Sequence, residues 1–206
     1  MTGLTGTAPG WPARLESEGV VVRALRRSDA DEWQAVRARN HDWLRPWDAT
    51  VPPGAAPRPS SYKVVTRSLL HQAKLGQCLP FVIEVGGRFA GQVTVSNVAR
   101  GSAQWGSIGY WVDAEVAGRG VAPRAVGMVI DHCLGPVGLH RVEICVRPEI
   151  TNSLRVVEKL GLEQVGYAPR FLHIDGAWRD HRIFALTAEE APVGVLVRLQ
   201  THQSHQ

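Results

Sequence analysis

Three cysteines in 206 residues, Cys78, Cys133 and Cys145, are too few and too scattered to staple a fold. An odd count without C-x-x-C spacing argues against a disulfide framework and fits buried or free thiols in a reducing compartment. The histidines form no H-E-x-x-H pair, and His202 and His205 lie in a polar tail, so no metal site is expected. No apolar run approaches the ~20 residues of a membrane span. The start of the chain lacks the basic segment and apolar stretch of a secretory signal, so the cytoplasm is the expected compartment. Long blocks of like charge are missing too. Twenty-three Lys and Arg are mixed with nineteen Asp and Glu for a net charge of +4. That balance describes a solvated surface better than a nucleic-acid face, so neither a membrane nor a direct nucleic-acid partner is expected.

What the chain does carry is a short glycine turn, Gly118-Arg119-Gly120-Val121-Ala122. A strand-like run, Ile108–Asp113, precedes it. Behind it, apolar residues recur at Ala122, Ala125, Val126, Val129, Ile130 and Cys133, the spacing of one helix face. The first N–H groups of such a helix lack intrahelical partners, and glycines before it let the backbone approach a bulky anion. Strand, glycine turn and helix N-terminus together predict a phosphate cradle. The Rossmann fingerprint fails at Pro123, where a third Gly or Ala is needed, and no Gly-Lys-Ser/Thr run supplies a Walker A loop. Pro123 itself costs little in a first helical turn, where its missing N–H has no partner to lose.

A strand is predicted over 140–147, then a turn, then a short helix from Ser153 to Leu160 closed by Gly161. Upstream, Val20–Leu25 reads as a strand, Ser28-x-x-Asp31 as a helix cap, 52–59 as a Pro- and Gly-rich loop, and 61–75 as a helix. Two strands flank Gly86-Gly87 as a hairpin. Residues 1–17 carry no pattern and are expected to be loose. A single domain is expected over 18–190, with a tail over 191–206. The mixed order of elements predicts an α+β fold, a twisted, mostly antiparallel sheet with helices on both faces.

The run Ser153-Leu154-Arg155-Val156-Val157-Glu158-Lys159-Leu160-Gly161-Leu162 closely resembles the N-x-x-S-x-R-V-x-E-K-L-G-F signature of GNAT N-acetyltransferases of the RimJ/RimL type. The glycine turn is similar to their pyrophosphate loop, with Glu115 where Arg or Gln is usual. Asn40–Trp47 resembles their N…L-x-P-W segment, Gly91–Asn97 their central strand, and Leu172–His181 their I-x-G-x-W-x-D-H hairpin. The resemblance spans roughly residues 18–190. It implies a GNAT fold in which the strands matching Ile108–Val112 and Val142–Val146 splay apart. It implies acetyl-CoA as co-substrate, without a metal. The acceptor it implies is a free amine at a protein N-terminus, with a ribosomal protein the foremost candidate. A small amine as acceptor, or a non-catalytic CoA-binding module, stays open, as does the choice between monomer and homodimer.

The resemblance also assigns residues. The amides of Gly118, Arg119, Gly120, Val121 and Ala122 would hold the pyrophosphate, with the Arg119 side chain adding charge. Backbone groups of Tyr110, Trp111 and Val112 would pair with pantetheine. Asn152 and Ser153 would face that arm, Asn152 alternatively being a helix cap. Ile150 and Val157 stand where the family uses Asn and Tyr, which leaves Ser153 as the expected donor to the departing thiolate. Glu143 is the expected base, with Glu84 and Asp180 as rivals and pairing with Arg141 or Arg147 as its alternative role. Trp43, Trp47 and Asp180 are expected at the acceptor, and Trp105 and Trp178 are further candidates to line its channel. An α-amine has a pKa of about 7.7–8.0 against about 10.4 for lysine, so roughly a tenth is already neutral at neutral pH and a modest base suffices.

Overall fold

The computed structural model describes residues 9–57, 59 and 61–203. Eight strands form one sheet in the order β1-β2-β3-β4-β5-β6-β8-β7. They are β1 (Arg14–Ser17), β2 (Val20–Ala24), β3 (Leu79–Val85), β4 (Arg88–Ala99), β5 (Trp105–Val112), β6 (Arg141–Val146), β7 (Glu163–Ile174) and β8 (Ala177–Thr187). Six neighbouring pairs, four within β1–β5 and two within β6–β8–β7, are antiparallel, and the β5–β6 pair is parallel. The helices are α1 (Ala30–Arg39), α2 (His41–Leu44), α3 (Tyr62–Lys74), α4 (Val121–Leu134), α5 (Thr151–Lys159) and α6 (Leu196–Gln203).

Side-chain alternation along the strands divides the core. Phe81, Ile83, Val93, Val95, Ile108, Val142 and Ile144 face α4 and α5. Val82 and Phe89 face the other way and pack with Leu25, Trp33 and Val36 beneath α1 and α3. The expected stripe of α4 is its core face: Ala125, Val126, Val129, Ile130 and Cys133 are fully buried. The reverse side of α4 is covered as well, because a Cβ on Gly127 would come within 3.1 Å of both Leu160 and Leu196. A helix buried on both sides accounts for its being apolar nearly all round.

Two ends differ from expectation. Residues 14–17, expected to be loose, pair with β2, and Trp11 stacks edge-on against Phe81 at 5.1 Å; residues 1–8 lie outside the described residues. The expected tail contains α6, anchored where Asp131 accepts hydrogen bonds from the N–H groups of Val195 (2.6 Å) and Leu196 (3.2 Å). Near the start of the chain, Ser28 makes no side-chain cap. Asp29 takes that part, accepting from the Arg26 N–H at 2.7 Å before α1 begins.

Candidate active site

The parallel β5–β6 ladder is short. It pairs Trp105 with Arg141, Gly106 with Val142 and Ser107 with Glu143, and then stops. β5 stays with β4 as far as Val112, while β6 stays with β8 as far as Val146. The strands therefore part, as the family resemblance implied. The Asp113 N–H donates to Ala90 O at 2.8 Å, so by alternation the odd-numbered residues of β5 bond to β4. The N–H and C=O groups of Tyr110 and Val112 thus point into the gap. Trp43 confirms the direction for Val112, since its indole donates to that carbonyl at 3.2 Å.

At the open end of β5 the chain makes a short 3-10 turn at Ala114–Val116 and enters the glycine turn. Gly118 and Gly120 both adopt φ +77°, a conformation that strains any residue with a Cβ. A Cβ on Gly118 would meet nothing within 4 Å, so the turn faces open space. Gly120 is the N-cap of α4, whose first N–H groups point the same way. The residues present fit a diphosphate group. The helix starts at Val121, so Val121 and Ala122 are its first two residues, and Pro123 follows in the first turn.

A buried network fixes this turn. Asp113 is 2 % exposed and pairs with Arg39. The Asn40 side chain donates to Asp113 Oδ1 at 2.9 Å and to Val36 O at 2.9 Å, and accepts from the Ala114 N–H at 2.9 Å. The Glu115 N–H donates to Asp113 Oδ1 at 3.2 Å. Burial pushes the Asp113 carboxyl up, but the bonds from Arg39, Asn40 and Glu115 and the Arg39 charge outweigh it and hold the pKa below the ordinary value. The end of α1 is thereby tied to the mouth of the cradle, which gives Asn40 a physical role. A second support, absent from the sequence reading, is Arg124. It is buried, pairs with Glu18 of the β1–β2 turn, and holds its Nη1 about where a Cβ on Gly120 would make van der Waals contact, 3.6 Å away. Its position one helical turn after Gly120 was the available signal.

The α5 end of the gap carries Ser153, in the first turn of a helix that begins at Thr151, two residues earlier than expected. The N-cap is Ile150, so Asn152 lies inside the helix, exposed, and is not the cap. The Tyr110 hydroxyl reaches down on this side. Burial raises its pKa to about 12, with the nearby Ser153 hydroxyl opposing the shift. The buried Tyr110 hydroxyl has no hydrogen-bond partner among the described residues. Trp111 faces the opposite side of the sheet, where its indole lies 3.4 Å from Gln92 Oε1.

On that opposite face sit the residues expected at the acceptor. Arg147, buried, donates to Pro46 O at 2.9 Å and to Glu149 at 3.2 Å, and its guanidinium lies 5.2 Å from the Trp47 ring. Trp43 and Trp47 remain 41 % and 38 % exposed, so the segment around α2 forms an open aromatic rim over the gap. Trp105 lies on the paired part of β5, and Trp178 packs edge-on with His173 on the β7–β8 hairpin. Glu143 pairs with Arg141 at 2.8 Å. Asp180 is engaged at both oxygens, by the Tyr167 hydroxyl at 2.5 Å and the Arg170 N–H at 2.8 Å, and so pins the β7 bulge. Among the described residues no group of His, Cys, Asp and Glu could hold a metal ion, and no helix is long and apolar enough to cross a membrane.

A splayed parallel pair with a glycine cradle at its mouth defines a class, and comparison identifies it. Residues 20–163 match the acetyltransferase (GNAT) domain family, and this chain belongs to that family. It is similar to Mycobacterium smegmatis RimJ, solved in complex with CoA-disulfide, at 38% identity over 95% of this chain and 97% of that one, with a TM-score of 0.84. It is also similar to the ribosomal protein uS5-alanine N-acetyltransferase of Escherichia coli (29% identity, 86% of this chain, 92% of that protein). The probable N-acetyltransferase YjcK of Bacillus subtilis is 28% identical over 84% of this chain and 96% of its own length.

Proposed function

We propose that this chain transfers the acetyl group of acetyl-CoA to the free α-amine of a protein N-terminus, with a ribosomal protein as the acceptor to test first. The observation that carries the reading is the gap between β5 and β6, into which β5 turns backbone groups that meet no neighbouring strand, and which ends at the glycine cradle. Acetyl-CoA supplies an activated thioester. The amides of Gly118, Arg119, Gly120, Val121 and Ala122 hold its diphosphate at the N-terminus of α4, and Arg119 adds charge at the exposed edge. Tyr110 offers its N–H and C=O groups, and Val112 its N–H, to an arm lying in the gap as an extra strand would, while the Val112 carbonyl accepts from the Trp43 indole. Trp111, whose backbone is committed to β4, contributes a wall through its ring. Asn152 borders the entrance beside Ser153, and the Ser153 hydroxyl donates a proton to the departing thiolate, with Tyr110 beside it.

The acceptor enters from the opposite face, between Trp43 and Trp47 and the end of β6. An open rim of exposed indoles suits the end of a polypeptide. The similarity to the ribosomal protein uS5-alanine N-acetyltransferase supports a protein acceptor. Asp180 acts on the acceptor only indirectly, by shaping the hairpin that borders this side. Glu143 stands on the last paired rung, at the closed end of the gap, with its carboxylate bonded to Arg141.

The test is free-thiol release from acetyl-CoA with a panel of acceptors. The panel holds peptides with free N-terminal Ala, Ser or Met, the same peptides blocked, and small amines. Turnover restricted to unblocked peptides is expected. Turnover on small amines alone would replace the acceptor class, and CoA binding without turnover on any acceptor would make the chain a binding module.

A further inference from the structure

The carboxylates expected to take the amine proton are committed elsewhere. Glu143 is bonded to Arg141, and Glu84 to Arg23 at 2.7 Å in a cluster with Asp29. Asp180 is bonded to Tyr167 and the Arg170 N–H. His181 stands apart. It is 4 % exposed, and its Nδ1 lies 3.0 Å from the carbonyl oxygen of Arg179. A carbonyl only accepts, so Nδ1 carries the proton and Nε2 keeps its lone pair. Nε2 has no hydrogen-bond partner among the described residues.

The register fixes the face on which the ring stands. β6 and β8 pair Cys145 with Ile183 and Val146 with Arg182, so His181 falls opposite Arg147 just past the ladder. Val142, Ile144 and Val146 point into the core beneath α4. By alternation Glu143, Cys145, Arg147, Ile183 and His181 share the other face, the side on which Arg147 meets Pro46 and Trp47. Phe171 of β7 packs edge-on against the His181 ring at 5.7 Å and holds its plane. An oriented neutral imidazole thus stands on the acceptor side of the gap, beside the aromatic rim.

We propose that His181 is the general base of the reaction, its Nε2 taking the proton of the attacking α-amine. This rests on the acetyl-transfer reading above. The neutral amine donates its lone pair to the thioester carbon, the new N–C bond replaces the C–S bond, and the nitrogen becomes strongly acidic as it bonds. Its proton passes to Nε2, the thiolate takes a proton on the Ser153 side, and the imidazolium later returns its proton to solvent. The surroundings favour the neutral ring. Burial is the largest influence and lowers its pKa below 6.5, and the Arg147 charge lowers it further. The bond to Arg179 O and the charges of Glu149 and Asp180 act the other way without reversing the shift. Along β8 itself Arg179 and Asp180 precede the histidine and Arg182 follows it, and Arg170 on β7 bonds Asp180 through its N–H. His181 is therefore unprotonated at neutral pH and ready to accept.

The experiment is the pH dependence of kcat on a free N-terminal peptide for wild type, His181→Ala and His181→Asn. Asn keeps a side-chain donor for Arg179 O and guards against misfolding. Both variants are expected to lose about 10²–10³-fold in kcat, and the acidic limb, which the titration of the amine also bends, to fall less steeply once the His181 ionisation is gone. Their CoA affinity by calorimetry should be unchanged, and imidazole should partly rescue His181→Ala. A purely structural role would lower stability and CoA affinity while leaving the acidic limb in place. Unchanged kcat and an unchanged acidic limb in a folded His181→Asn protein would overturn the assignment. Wild type inactive on every acceptor would instead overturn the acetyl-transfer reading, a distinct result.

Discussion

Gly120 and Asp113 were visible in the sequence for different reasons, and each carries a prediction. Gly120 was legible because a glycine turn between a strand and a helix is a local pattern. At φ +77° a Glu there is strained and brings bulk and negative charge into the cradle. Gly120→Glu is expected to abolish CoA binding in calorimetry while keeping the circular dichroism of the fold; wild-type affinity would remove the cradle from this turn. Asp113 was read only as the end of a strand, because its partners Arg39 and Asn40 are over seventy positions away in sequence. A carboxyl with a folded pKa below its unfolded value contributes stability that is full above the unfolded pKa of about 3.9 and is lost as pH falls through the folded pKa. The melting temperature of Asp113→Asn is therefore expected to lie below that of wild type at pH 7, with the difference closing on acidification below about pH 4. Melts at a series of pH values check this, and a constant difference would mean that the ionised carboxylate is not what holds the network. His181 was harder to read than either residue, since its tautomer and its neighbours are set by strand register.

The central strands, α3 and α4 were legible because their apolar periods are long and their turns contain glycine, whereas the terminal hairpin was legible through its resemblance to the family motif. The elements missed were β1, α2 and α6, and the first and last of these owe their form to tertiary contact. Arg14–Ser17 has one apolar residue, Leu15, too little for alternation to register. α6 follows a Pro- and Gly-containing stretch that reads as a loop, and it is too short to be stable alone. Its start is held by Asp131 and by packing of Val195 and Leu196 with the α4–α5 layer. Asp131→Ala would leave two N–H groups at the start of this helix without their acceptor, at a cost of about 1–2 kcal/mol. At roughly 2–4 °C per kcal/mol for a chain of this size, a fall in melting temperature of about 2–8 °C is expected. Hydrogen exchange should rise in the first turn of α6 and not in β3 or β4. Uniform acceleration across the molecule would mean that α6 unfolds only with the whole domain.

Taken whole, the molecule is two antiparallel half-sheets joined by three parallel pairs, with α4 beneath both. The gap exists because β5 is held by β4 and β6 by β8, while nothing beyond Ser107 and Glu143 draws the two together. The splay was inferred from family resemblance alone, since no residue spacing encodes where a parallel ladder stops. Its consequence can be stated amide by amide. The N–H groups of Gly109 and Trp111 bond to β4, whereas those of Tyr110 and Val112 face the gap. An arm lying in the gap as an additional strand would protect Tyr110 and Val112 selectively. CoA at about 100 times its Kd adds roughly 2.7 kcal/mol to global stability, which slows every globally exchanging amide alike. Local protection must exceed that common factor. Amide exchange with and without CoA is expected to slow at Tyr110 and Val112 beyond the shared change, with Gly109 and Trp111 following the rest of β5. Equal slowing at all four would mean that CoA stabilises the domain without pairing to β5, leaving the glycine turn as its anchor and the gap as a passage for the thioester.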